Sequence, residues 1–157
     1  AVLLIQEFDF TEKNIGLLFG WIGIWLALTQ GLLVRKLSDL FAPKAILRVS
    51  ILALSMGIAL VLLPETSWWF YVIAPLIAIS QGVTSPNITS VISEQANPSQ
   101  QGEILGINQS MQSLGQAIPP IIAGYLSAIN NQFPMIAAAV MIFIAWVLYM
   151  ILFGRKG

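Results

Sequence analysis

A chain of 157 residues that is 57% hydrophobic and 9% charged, with a mean hydropathy of +0.84, is composed for lipid, since charged residues make up about a quarter of a typical soluble domain. Seven Lys and Arg balance seven Asp and Glu, so no basic excess points to nucleic acid. The absence of His and Cys removes the usual transition-metal ligands and any disulfide, and no metal or cofactor is expected.

A helix crossing a hydrocarbon core about 30 Å thick needs about 20 mostly apolar residues, and the charges punctuate the chain at that spacing. Residues 1–6, AVLLIQ, are too short to cross and read as the tail of a helix cut by the start of the chain, with no basic stretch or cleavage site to mark a signal peptide. The first full span, about 14–34, lies between Lys13 and Arg35 and carries Gly16, Gly20, Gly23, Ala27 and Gly31, a small-residue stripe that predicts close helix packing. Arg48 and Glu65 bracket the second, about 45–63, where only Ser50, Ser55 and Gly57 interrupt the apolar surface; it is expected on the outside. The third, about 68–92, opens on Trp68 and Trp69, which suit a membrane interface. Phe70, Ala74, Ile77, Gln81, Thr84 and Ser85 share one of its faces, and Gly82 and Pro86 predict a bend.

No charge occurs from Ile104 to Gly154, but Asn130, Asn131, Gln132 and Pro134 signal a loop, giving a fourth span at about 104–128 and a fifth at about 134–153. On a helical projection of the fourth, Ile107, Met111, Leu114, Ile118, Ile122 and Tyr125 fall on one side. Gly106, Gln109, Ser110, Gln112, Ser113 and Gln116 gather on the other. Amides facing lipid without partners cost several kcal/mol each, so that polar side must meet neighbouring helices or a water-filled cavity. Any one of these residues fits interhelical packing; three glutamines within about two turns favour a cavity. The fifth span is apolar on every side apart from Tyr149 and belongs against lipid.

Arg35, Lys36, Lys44 and Arg48 share one loop, and Arg155 and Lys156 close the chain four spans later, on the same side. The other side receives Lys13 among Glu7, Asp9, Glu12 and Glu65. The positive-inside rule then places loops 35–44 and 93–103 and the C-terminus in the cytoplasm, with the chain in a cell (inner or plasma) membrane. The fold class is all-α: a polytopic transmembrane helix bundle of five full spans.

Two stretches resemble major facilitator superfamily transporters. QGLLVRKLSDLFAPKAILRVSIL is similar to the loop between the eighth and ninth helices of those carriers. TSPNITSVISEQANPSQQGEILGINQSMQSLGQAIPPIIAGYL is similar to the tenth-to-eleventh helix region of their tetracycline and multidrug efflux branch, with Pro86, Ser93, Pro98, Gln101, Gly102, Gly106, Ser110 and Pro119 in the matching places. Two positions depart from the pattern: Arg35 stands where the loop motif that starts at Gly31 has Asp, and Pro119-Pro120 replaces the closing Gly-Pro. Asp39 is placed to pair with Arg35, and Gly31, Arg35, Lys36 and Asp39 form the second-half version of the loop motif. The resemblance implies a partial C-terminal domain of a twelve-helix carrier, helices eight to twelve plus the end of the seventh, whose partners are a small-molecule substrate, the lipid bilayer and an N-terminal half.

Phe70, Gln81, Thr84, Gln109, Gln112 and Gln116 are the candidate substrate contacts. Their mix of amides and an aromatic ring suits amphipathic drug-like compounds moved by alternating access, in which two halves rock about a central site. A proton-coupled carrier needs an ionisable group in the membrane; none is expected inside the five spans, so the coupling carboxylate would lie in the other half and this chain alone would not transport. The alternatives are uptake of a sugar or other metabolite by the same fold, and a non-transporting membrane scaffold subunit. No nucleophile–base pair or Gly-rich phosphate loop occurs, so the chain is not expected to be an enzyme.

Overall fold

The computed structural model describes residues 10–63 and 66–153. Residues 1–6, Glu7, Asp9, Glu65, Arg155 and Lys156, on which part of the predicted topology rests, lie outside them. Within them the chain is an all-α membrane bundle with no strand.

Helix α1, Glu12–Leu28, starts where the Thr11 side chain accepts the Asn14 N–H at 3.3 Å and Glu12 places a negative charge in the first turn, both stabilising at a helix N-terminus. It passes through a π-helical turn, Thr29–Leu33, into α2, Val34–Leu40, forming one 29-residue rod. The rod stops at Phe41, whose backbone is extended. Ala42, which precedes a proline and is therefore steered away from the helical region, hands over to Pro43 at the first turn of α3, Pro43–Leu60, where a missing N–H costs nothing. Helices α4 (Trp69–Gln95), α5 (Gln101–Ile129) and α6 (Phe133–Phe153) follow. Three stretches among the described residues are long and apolar enough to cross a membrane by length and composition: Glu12–Leu40, Pro43–Leu60 and Phe133–Phe153. Helices α4 and α5 are more polar but, at 27 and 29 residues, reach roughly 40 Å.

The most extensive packing is of α3 on α4, then of α3 on α6 and of α1 on α4. The second span was expected on the outside; instead α3 lies between α4 and α6, with Ile46, Leu47, Ser50, Ser55 and Gly57 buried. The reason is that helices associate in lipid by shape and small residues rather than by hydrophobicity, and the small residues of α3 make the contact: a Cβ on Gly57 would meet Ile77 Cγ1 at 3.0 Å.

Three side-chain hydrogen bonds lock α3 to α6 in antiparallel register. Tyr149 Oη–H donates to the Lys44 carbonyl at 2.9 Å, Trp146 Nε1–H to the Arg48 carbonyl at 2.8 Å, and Ser55 Oγ–H to the Ala139 carbonyl at 3.1 Å. The outer face of α6 stays open and no α6 residue is fully buried.

Helices α1 and α4 run parallel. At one end Phe10, Leu18, Phe70 and Ala74 form the apolar core, with Phe10 edge-on to Phe70 at 6.0 Å. Farther along, Gly82 admits Thr29 and Leu26, which an added Cβ would meet at 3.0 and 3.1 Å. Gly82, read as part of a bend, is thus a packing point in a continuous helix, beside the π-helical turn that carries the buried Thr29. The expected glycine stripe does not pack: around Gly16, Gly20, Gly23 and Gly31 nothing lies within 4 Å of an added Cβ. Pro75 denies the Tyr71 carbonyl its i+4 donor, and the indole N–H of Trp21 donates to that carbonyl at 3.0 Å.

Two charge expectations change. Arg48 lies about one and a half turns inside α3, so one apolar span does contain an ionisable residue. Arg35 and Asp39 do not pair, and no ion pair forms among the described residues; both side chains are exposed, where a pair gains little over solvation.

Trp21→Phe is expected to cost about 1–3 kcal/mol, the penalty of a carbonyl left without a donor in lipid. In a Pro75→Ala background, which returns the N–H, at least half of that cost should vanish. Reversible unfolding of the four proteins of this double-mutant cycle in mixed micelles measures the coupling. Gly82→Leu should destabilise by about 1–3 kcal/mol through overpacking against Thr29 and Leu26, whereas Gly20→Ala, on the open stripe, should not; thermal melts of the detergent-solubilised protein check both.

Candidate functional site

Helix α5 is long, amphipathic and lightly held. It touches α4 and α6, and none of its residues is fully buried. A half-buried stripe of Ile104, Asn108, Gln112, Ala123 and Leu126 turns toward the bundle. The apolar side predicted from the sequence is open: Ile107, Met111, Leu114, Ile118 and Ile122 are each at least 50% exposed. Gln109, Ser110, Ser113 and Gln116 are exposed on the polar side, and Gln112 sits at the edge nearest the neighbouring helices.

The hydroxyls and the amides of this face behave differently. Ser110 donates to the Gly106 carbonyl and Ser113 to the Gln109 carbonyl, each at 3.0 Å, the usual way a short hydroxyl is satisfied within its own helix. The side chains of Gln109, Gln112 and Gln116 have no hydrogen-bond partner among the described residues. Each amide brings two N–H donors and a carbonyl acceptor, so the face offers unsaturated hydrogen-bonding capacity at three positions. Pro119 and Pro120, both inside α5, also withhold the ladder donors of the Gly115 and Gln116 carbonyls, adding acceptors at the same level.

Gln81 on α4 is the fourth such amide, exposed together with Ser85 one turn on. Helices α4 and α5 are joined by the short connection 96–100, across which the Gln101 amide donates to the Ser93 hydroxyl. Counting from that connection at 1.5 Å per residue, Gln81 lies roughly 21 Å along α4 and Gln112 roughly 17 Å along α5. The amides therefore fall at similar depths near the middle of the two helices.

Phe70 and Thr84 are placed elsewhere. Phe70 belongs to the core between α1 and α4. Thr84 is buried against α3, where its hydroxyl donates to the Ser80 carbonyl at 2.7 Å and shares a 2.9 Å hydrogen bond with the Ser50 hydroxyl. Asn87, also buried, donates to the Val83 carbonyl at 2.7 Å. One helical face read from sequence thus divides in three dimensions: Phe70, Ala74 and Thr84 point inward, and Gln81 and Ser85 outward. Two clefts, of about 610 and 450 Å³, are lined by other residues, the first between α2, α3 and α4 and the second between α3, α4, α5 and α6.

The residues that sequence reasoning passed over are Trp21, Trp146 and Tyr149 as donors to backbone carbonyls, and Arg48. Only Trp21 had a signal: Pro75 inside a predicted span implies an orphaned carbonyl at Tyr71 that some donor must meet.

The Major Facilitator Superfamily profile matches residues 1–157. Major facilitator superfamily domain-containing protein 10 of Mus musculus is 27% identical over 129 residues, 78% of this chain and 27% of that protein. Solute carrier family 22 member 18 of Mus musculus is 24% identical over 127 residues, 80% of this chain and 31% of the relative. Solute carrier family 67 member A1 of Homo sapiens is also 24% identical over 127 residues, covering 80% of this chain and 30% of the human protein. The chain spans about a third or less of the length of these curated relatives. Its helical architecture, its membrane-spanning segments and this end-to-end match place the chain in the major facilitator superfamily of membrane transporters.

Proposed function

We propose that the chain is part of the C-terminal six-helix domain of a twelve-helix secondary carrier, helices eight to twelve, and that it forms one wall of the passage through which an amphipathic drug-like compound leaves the cell by proton-coupled antiport. The observation that carries this reading is the set of unpartnered glutamine amides on α5, with exposed Gln81 at similar depth on α4. Within a membrane, amides without protein partners must be met by water, by substrate or by the other half of a carrier. Neutral amides set among apolar neighbours suit a substrate with a few polar groups on an apolar body, because they orient it without demanding a counter-charge.

Gln81, Gln109, Gln112 and Gln116 are the proposed substrate contacts. Phe70 and Thr84 act one layer behind them, holding α4 against α1 and α3. No Asp or Glu lies in the middle of α4 or α5, where the amides sit; Glu94 is close to the end of α4 and Glu103 is in the first turn of α5. The coupling carboxylate of the proposed antiporter therefore belongs to the N-terminal half or the seventh helix. The same reading puts loops 35–44 and 93–103 in the cytoplasm and the protein in a cell membrane.

The lack of native cysteine makes the test direct. In membrane vesicles holding the full-length protein, cysteines replacing Gln81 and Gln112 should react with a membrane-impermeant maleimide, and a transported lipophilic cationic dye should slow that reaction. A cysteine at Ile107, on the opposite side of α5, should stay unlabelled. Equal labelling at all three positions, or none at the glutamines, would refute the wet face. Gln112→Leu should lower dye efflux about ten-fold, the scale of one desolvated hydrogen bond, with the protein still folded and inserted.

A further inference from the structure

The cleft of about 610 Å³ between α2, α3 and α4 has an apolar wall that includes Phe41, Val49, Ala53, Leu76 and Val83, and Arg48 is also in its lining. It lies apart from the glutamine faces. From Ala45 to Ala53 its α3 side rises roughly 12 Å, from the end of the span that carries the basic loop toward the middle of the membrane. Phe41 and Val49 are 55% and 68% exposed, so the cleft is open along that side.

Arg48 gives the cleft a direction. It is set inside an apolar helix, and no Asp or Glu among the described residues pairs with it. The Arg48 backbone carbonyl accepts the Trp146 indole N–H, and its guanidinium, within electrostatic reach of the Tyr149 hydroxyl, has no carboxylate among the described residues to neutralise it. A cation at that depth needs an anion or water, and an intramembrane arginine without a protein partner marks a site. Its neighbours along the chain are Arg35, Lys36 and Lys44, against the single acid Asp39, so this end of the cleft attracts negative charge.

We propose that the cleft is a binding site for one anionic phospholipid, with an acyl chain along the α3–α4 groove and the phosphate on the Arg48 guanidinium. Apolar length below and a bidentate phosphate-binding group above match an amphiphile with one acidic head. A neutral or cationic lipid would leave the guanidinium unpaired. The orientation proposed above puts the mouth of the cleft on the cytoplasmic side, where anionic lipid is concentrated.

The test is a titration of the full-length protein, purified in a neutral detergent, with short-chain phosphatidylglycerol or phosphatidylcholine, following thermal unfolding. Phosphatidylglycerol should raise the melting temperature with a half-saturating concentration about five-fold lower than phosphatidylcholine, the scale of one basic side chain meeting an acidic headgroup. Arg48→Gln should abolish that preference and Arg48→Lys should retain most of it. Ala53→Trp, which fills the groove, should weaken both lipids, and glycerol phosphate alone should give no shift. Equal half-saturation by the two lipids, a preference that survives Arg48→Gln, or a shift produced by glycerol phosphate alone would each overturn the proposal. The titration contains no transport substrate, so a failure here leaves the glutamine site standing, and a failure of the dye experiment leaves the lipid site standing.

Discussion

In a hydrocarbon solvent polar groups must find their partners within the protein, and side-chain donors that reach main-chain carbonyls of neighbouring helices tie this bundle together. Five hydrogen bonds between helices run from a side chain to a main-chain carbonyl: Trp21 to Tyr71, Tyr71 to Asn14, Trp146 to Arg48, Tyr149 to Lys44 and Ser55 to Ala139. Because the acceptor is backbone, each bond specifies a position on the partner helix and not the residue type there. The three on the α3–α6 seam fix both the register and the rotation of that pair. The bond from Trp21 meets a vacancy made by Pro75. Proline inside a membrane helix is tolerated when a neighbour satisfies the carbonyl it orphans, and here the neighbour is an indole on a parallel helix fifty residues earlier in the chain.

What could be read from the sequence follows the same physics. Charges and turn residues are excluded from an apolar core, and they cluster near the ends of the helices. The polar face of α5 was also legible, since a 3.6-residue period needs no knowledge of neighbours. Neighbours were not legible. An apolar stripe that meets lipid and one that meets another helix have the same composition, so α3 read as peripheral although it sits between α4 and α6. Small residues told the same half-truth: glycines signal that a close approach is allowed, yet the approaches occur at Gly57 and Gly82, while the more regular stripe on α1 stays open. Phe70, Thr84 and Gln81 share a helical face, and only the placement of α1 and α3 decides that the first two are covered and the third is not.

Helix α5 stands outside the scheme that holds the rest. Its hydroxyls are satisfied on its own backbone, Gln109, Gln112 and Gln116 are satisfied by nothing among the described residues, and none of the five carbonyl-directed bonds between helices involves it. The link to α4 that does exist, Gln101 to Ser93, lies at the loop end and acts as a tether.

That distribution of bonds has a mechanical consequence for the proposed carrier. Sliding α6 along α3, or α1 along α4, would strip the Trp, Tyr and Ser donors of their acceptors at about 1–3 kcal/mol each, so each of these two pairs resists internal shear. Tilting α5 about its tethered end breaks none of these bonds and changes only contacts between side chains. In the proposed rocking of one half of the carrier against the other, flexing within this half would fall at the α4–α5 seam. Gln81 is on α4 and Gln112 on α5, so a substrate held by both amides, as proposed, would couple its own binding to the tilt.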